Sequence, residues 1–73
     1  MSYRRYVVVI EKGPKSYGAF VPDLPGCVAA AKTRARVVEL IREAMALHLE
    51  DMQSRGEPPP PGAAEAESIE VAV

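Results

Sequence analysis

The segment Asp23-Leu24-Pro25-Gly26-Cys27 decides the fold of this chain, because it places a tight turn between two strand-like runs. Proline fixes φ at one turn position, and glycine at the next position tolerates the positive φ that a type II turn requires. We therefore predict a type II turn here. Pro22 lies just before it and cannot donate a hydrogen bond to a sheet, so the preceding strand is expected to end there.

The residues on either side of this turn predict three short strands. Residues 6–10 are apolar on both faces, which indicates a buried strand that we place over residues 5–11. A short connection containing glycine and proline follows. Residues 16–22 then place Tyr17, Ala19 and Val21 on one face and Gly18 and Phe20 on the other, as in a second strand. Two strands joined by such a short connection predict an antiparallel hairpin. Residues 27–32 predict a third strand, weakened by three successive alanines.

A long helix is predicted over residues 34–55. Thr33 is a suitable N-cap, and Gly56 followed by Pro58 is typical of a helix end. Apolar residues recur at helical spacing and form a single stripe. The stripe consists of Val37, Val38, Ile41, Ala44, Met45, His48 and Met52.

Leu40 and Leu47 lie seven residues apart on one flank of this stripe. Two interpretations remain open for them. They either widen the face of the helix that packs on the core or contact a second subunit as a possible oligomer contact.

The end of the chain predicts a connector and one more strand. Residues 57–62 are rich in proline and indicate a stiff, extended connector. Residues 68–72 alternate between apolar and polar, as in a half-buried edge strand. The predicted fold is α+β in the order β-β-β-α-β, a single domain over residues 1–73 with one antiparallel sheet of three to four strands packed on a single long helix. Because one helix covers one sheet face, the other face or an exposed edge is expected to receive another chain.

Composition excludes several function classes. The chain has 73 residues, with one cysteine (Cys27) and one histidine (His48), so an internal disulfide and a typical zinc site are not provided for. We expect no metal and no cofactor. A core this small is marginally stable alone, which favours self-association or a protein partner. The net charge of −1 gives no general attraction to nucleic acid.

Catalytic constellations are also missing from the sequence. Cys27 and His48 are not coupled by any known motif, and buried packing is the commoner fate of a free cysteine. Gly13 and Gly18 do not form a phosphate loop. We therefore expect a protein that is not an enzyme. No apolar run reaches the roughly 20 residues that span a bilayer, and a single unpaired cysteine suits the reducing cytoplasm.

Several motifs follow one another in a recognisable order across residues 5–71. They are the run 6–11, Gly18-Ala19-Phe20-Val21-Pro22-Asp23-Leu24-Pro25-Gly26-Cys27, Thr33 with its helix including Glu43-Ala44 and Leu47-His48-Leu49-Glu50, Gly56-Glu57-Pro58-Pro59-Pro60-Pro61, and Ile69-Glu70-Val71. This order resembles the HicB-family antitoxin domain. The resemblance implies a β-β-β-α-β fold like a reduced RNase H core without its catalytic acids.

The resemblance also implies a function. Members neutralise a small basic HicA-type toxin that cleaves mRNA, and they form homo-oligomers such as dimers or tetramers. The type II toxin–antitoxin role would place Asp23, Leu24, Pro25, Gly26 and Cys27 beside the partner-binding surface. The family's C-terminal DNA-binding module has no counterpart in residues 1–73, so direct DNA binding is not expected for this short form. The alternative is a stand-alone oligomeric regulator, or an RNA- or ligand-binding module, without a toxin partner.

Overall fold

The computed structural model describes residues 3–73 as one sheet covered by one helix. Strand β1 is Val9–Lys12, β2 is Tyr17–Phe20 and β3 is Val28–Ala31, followed by helix α1 at Arg34–Ser54. Both strand pairs are antiparallel, in the order β1-β2-β3. The predicted α+β class, with one antiparallel sheet packed on a single long helix, is confirmed.

The register of the sheet separates a helix-facing side from an outer side. Val9, Phe20 and Val28 stand directly opposite one another on neighbouring strands, so they share one face. The next residues along the strands are Ile10, Ala19 and Ala29, which lie on the opposite face. The central one, Ala19, is buried. The core therefore lies on the side that α1 covers. Its buried residues are Ala19, Val21, Leu24, Cys27, Val37 and Ile41.

Both ends of α1 form as the sequence predicts. The Thr33 hydroxyl accepts a hydrogen bond of 3.1 Å from the Arg36 amide, which satisfies one free N–H of the first turn. Gly56 has φ of +74° and donates to the Gln53 carbonyl, while the amide of the following residue donates to Met52. This pair of bonds is a Schellman motif, which a glycine at this position favours.

The loop between β2 and β3 is closed by three backbone hydrogen bonds, one of them from the Leu24 amide to the Val21 carbonyl at 3.0 Å. The Cys27 amide donates to the Leu24 carbonyl at 3.0 Å across Pro25 and Gly26, and Gly26 has φ of +85°. These are the features of the predicted type II turn. Val21 starts the loop, and its amide donates to the Cys27 carbonyl at its other end. The loop is therefore compact, and it directs the Leu24 side chain into the core.

Helix α1 packs mainly against β3 and β2 and less against β1. Val8 and Ile10 are consequently only half-buried. An open apolar groove of about 240 Å³ lies between the N-terminal strand and the helix. Its lining consists of Val8, Ile10, Val38, Ile41, Arg42 and Met45, and we call it the β1–α1 groove.

Two predicted strand positions need correction. The first strand begins at Val9 rather than at residue 5, because β2 ends at Phe20 and the chain then turns away, leaving the earlier residues without a partner. The fourth strand predicted over residues 68–72 is not formed: the described chain has no regular secondary structure after the helix and its capping turn. An alternating pattern becomes a strand only beside another strand, and residues 68–72 pair with no described strand.

The connector after the helix is fixed against the start of the chain. The Tyr6 hydroxyl donates a hydrogen bond of 2.7 Å to the Pro60 carbonyl. Gly62 lies so close to the Arg5 carbonyl that a Cβ atom added there would overlap it. Further on, the Ala64 amide donates to the Asp23 carboxylate. Within the described residues, α1 does not combine the length and apolar character needed to cross a membrane.

Candidate protein-binding interface

The sheet face turned away from α1 carries a continuous apolar row. It consists of Val9, Phe20 and Val28, and we call it the outer row. Val28 is 65% exposed and Phe20 is 37% exposed, although both are large apolar side chains. Contiguous exposed apolar residues on a small domain are typical of protein-interaction sites. The outer row is therefore the candidate centre of an interface.

The neighbouring row makes this face flat. Gly18 and Ala30 stand opposite each other next to the outer row, and neither projects a large side chain. Glu11 completes the row on β1 and is exposed. A partner can therefore approach the apolar centre closely, with a carboxylate at its border.

The structure divides the predicted partner-binding segment into two parts. Leu24 and Cys27 are buried, at 1% and 4% exposure, so their side chains hold the loop in place and do not reach a partner. Pro25 and Gly26 are exposed at its tip. Asp23 is half-buried, and its carboxylate is occupied by the bond from the Ala64 amide at 3.0 Å. The surface that this segment offers is thus its proline–glycine tip.

The acidic end of the chain lies beyond the same loop. Glu65, Glu67 and Glu70 are exposed, and residues 56–73 contain no basic residue. Because Ala64 is fastened to Asp23, this acidic stretch starts at the loop between β2 and β3. Its charge favours a positively charged partner.

Leu40 and Leu47 differ in their surroundings. Leu40 is half-buried and Leu47 is 66% exposed, and neither belongs to the core cluster that the described residues form. The interpretation that both widen the core is therefore wrong for Leu47. Their contact with a second subunit stays a prediction.

Cys27 and His48, the two residues that could have supported catalysis, are both packed against their neighbours. Burial raises the pKa of the Cys27 thiol, which disfavours the reactive thiolate. His48 is half-buried on α1, as its place in the apolar stripe predicts. Among residues 3–73, no group of three or more His, Cys, Asp or Glu side chains could hold a metal ion.

Sequence reasoning missed two parts of this surface. The outer row depends on strand register, which the four-residue turn closed by the Gly13 amide and the Ser16 carbonyl sets. Counting outward from that turn would have placed Val9 opposite Phe20. The β1–α1 groove depends on where the helix lies across the sheet, for which the sequence carries no comparable signal. Leu49, half-buried against the core, was also omitted from the helix stripe.

Comparison with known proteins identifies relatives of this fold. A protein of Helicobacter pylori described as "UPF0150 protein" is 44% identical over 46 residues, which are 63% of this chain and 64% of that protein. A "UPF0150 protein" of Archaeoglobus fulgidus is 40% identical over 47 residues, covering 63% of this chain and 68% of its own length. The matched region therefore spans slightly less than two thirds of the length of the Helicobacter pylori protein.

A solved structure and a family model give the more informative matches. The structure is described as "HicA3 and HicB3 toxin-antitoxin complex"; it superimposes with a TM-score of 0.65 and 29% identity, over 85% of this chain and 70% of the matched chain. The family model described as "HicB_like antitoxin of bacterial toxin-antitoxin system" matches residues 6–72, nearly the whole sequence. The chain therefore belongs to the HicB-like antitoxin family of bacterial toxin–antitoxin systems.

Proposed function

We propose that this protein is an antitoxin that binds a small basic HicA-type toxin and prevents it from cleaving mRNA. The observation that carries the proposal is the outer row: an exposed apolar patch on a HicB-like fold whose other sheet face is covered by its own helix. The likeness to a chain from a HicA–HicB complex supports the choice of partner.

The mechanism is occlusion. The toxin would place its RNA-binding face over the outer row and the Pro25-Gly26 tip, so that mRNA cannot enter. Desolvated apolar and aromatic side chains near the middle of an interface supply most of its affinity, and Phe20 is the aromatic residue of this surface. The antitoxin supplies no reacting group and acts by binding alone.

Charge would govern how fast the complex forms. A toxin that binds mRNA needs a basic surface, and the exposed acids at 65, 67 and 70 offer the opposite sign. Long-range attraction of this kind raises the association rate more than the final affinity. The site of action would be the cytoplasm, which holds the mRNA and keeps a lone thiol such as Cys27 reduced.

The test uses any small basic protein that is encoded beside this gene. The two proteins are co-expressed with an affinity tag on one of them, and RNA cleavage by the partner is measured with increasing amounts of this protein. Co-purification together with loss of cleavage supports the proposal. A neighbour that does not co-purify, or that cleaves RNA at an unchanged rate in excess of this protein, contradicts it.

A charge-reversal variant sharpens the test. Glu65→Lys, Glu67→Lys and Glu70→Lys together should slow association about tenfold at low salt and much less at high salt, because salt screens exposed charges. The matched control is Glu39→Lys with Glu43→Lys and Glu50→Lys, which changes three exposed acids on α1 away from the loop. An equal rate for both variants would show that the acidic end does not steer the toxin.

A further inference from the structure

The last six residues of the chain have the pattern of a strand but no strand beside them. Ile69, Val71 and Val73 alternate with polar or small residues and are all largely exposed. Within the described part of the chain, residues 65–73 form no hydrogen bond or ion pair. We call residues 68–73 the tail strand. Its backbone groups and its apolar face are both unused.

The outer edge of β1 also has no partner strand among the described residues. β1 pairs with β2 on one side, and no described strand lies on the other. The connector passes Arg5 and Tyr6, so the edge is free from Val7 to Lys12. An unpaired strand edge is a template for another strand.

Length and chemistry fit the tail strand to this edge. Both segments are six residues long, and six extended residues span about 20 Å. The β1–α1 groove lies beside the edge, lined mostly by aliphatic side chains such as Ile10, Ile41 and Met45. A strand added at the edge would direct one face of alternating side chains over this groove. Ile69, Val71 and Val73 form the face that such a groove accepts.

Within one chain, the tail strand pairs with no described strand. The connector passes Arg5 at Gly62, and the Ala64 amide is then held by Asp23 in the loop between β2 and β3. The molecule is elongated, with extents of 48 × 27 × 21 Å. A second copy can be reached without breaking the bond between Asp23 and Ala64.

We propose that the tail strand of one copy adds to the β1 edge of a second copy and packs its apolar face into that copy's β1–α1 groove. The exchange is reciprocal, so two copies related by a two-fold axis close each other's sheets at four strands. It also gives the sequence pattern over 68–72 the partner strand that it lacks within one chain. The outer row stays free, so this assembly leaves the proposed toxin-binding face of the sheet uncovered; Glu70 alone belongs to both the acidic end and the tail strand.

The experiment measures the mass of the full chain by analytical ultracentrifugation over a concentration series. Wild type is compared with Ile69→Asp plus Val71→Asp, which places charge on the apolar face. The matched control, Ser68→Asp plus Ala72→Asp, adds the same charge to the other face of the same segment. All four positions are exposed in the single chain, so each variant should fold, which circular dichroism verifies.

We expect wild type and control at twice the 7.9 kDa mass of one chain. The apolar-face variant should dissociate at least about a hundredfold more readily, because charge cannot enter the groove unpaired. NMR on a mixture of labelled and unlabelled chains should show contacts between Val71 and Ile10 of different copies. A monomeric wild type, a dimer that tolerates Ile69→Asp plus Val71→Asp, or contacts confined to one chain would each overturn the proposal.

Discussion

The Asp23 carboxylate accepts a hydrogen bond of 3.0 Å from the Ala64 amide, which joins residues 41 positions apart. The carboxylate stands at the start of the turn, and the amide belongs to a stretch without regular secondary structure. This bond fixes where the acidic end of the chain leaves the domain. It also gives Asp23 a structural role that its place in the turn does not reveal.

Removing this acceptor should loosen the end of the chain. Asp23→Ala is expected to lower the free energy of unfolding by about 1–2 kcal/mol, because a half-buried amide loses its charged partner. Asp23→Asn keeps an acceptor oxygen and should cost less. Urea denaturation measures both values, and hydrogen exchange at the Ala64 amide should be faster in Asp23→Ala. An unchanged exchange rate would show that the bond does not hold the connector.

Gly62 should tolerate no side chain. A Cβ atom added there overlaps the Arg5 carbonyl, and both groups belong to the backbone, so neither can move aside cheaply. Gly62→Ala is therefore expected to displace the connector and to weaken the bond from Tyr6 to Pro60. The control is Gly18→Ala, whose added Cβ would meet its nearest atom at an ordinary 4.0 Å. Thermal unfolding should show a clear loss of stability for Gly62→Ala and a smaller change for the control.

Leu24 and Leu47 are expected to differ sharply on truncation. Leu24 is 1% exposed at the centre of the core, so Leu24→Ala should cost about 2–5 kcal/mol through lost burial and the cavity left behind. Leu47 is 66% exposed, and Leu47→Ala should change the free energy of unfolding by about 0.5 kcal/mol or less. Urea denaturation of both variants checks this contrast. Equal losses would mean that the loop does not insert Leu24 into the core.

Cys27 should be protected from reaction while the chain is folded. Burial raises the pKa of its thiol, so the folded protein ionises it less readily than the unfolded chain does. The contribution to stability is complete below the ordinary thiol pKa of about 8.5 and is lost as the pH rises through the folded value. Wild type should therefore lose more stability than Cys27→Ala across this alkaline range. A thiol-reactive disulfide reagent should modify Cys27 slowly in buffer and rapidly in denaturant; rapid modification in buffer would contradict its burial.

Local rules predict much of this fold. Thr33 and Gly56 mark the helix ends because capping depends on a few neighbouring backbone groups. Gly26 marks the turn because few other residues adopt positive φ at little cost. The buried face of the helix follows from spacing alone, and Val37 and Ile41 are buried on it as expected. These features require no knowledge of distant contacts.

Features that depend on distant partners are less predictable. The pattern over residues 68–72 is that of a strand, yet a strand forms only beside another strand, and these residues pair with no described strand. The contact between Asp23 and Ala64 and the close approach of Gly62 to Arg5 depend on the path of the connector. For the site, residue types in the turn predict its shape, but the burial of Leu24 is evident only once the loop is closed.

The most direct test of the account measures the dissociation constant between this protein and the HicA-type toxin that we propose as its partner. Phe20→Asp plus Val28→Asp puts charge into the outer row. The control is Ala35→Asp plus Ala46→Asp, which adds the same charge at two exposed residues of α1. Isothermal titration should show binding weakened at least about a hundredfold by the first variant, because a carboxylate would be buried unpaired, and changed little by the control. Equal affinity of wild type and the outer-row variant would contradict the central claim that this sheet face holds the toxin.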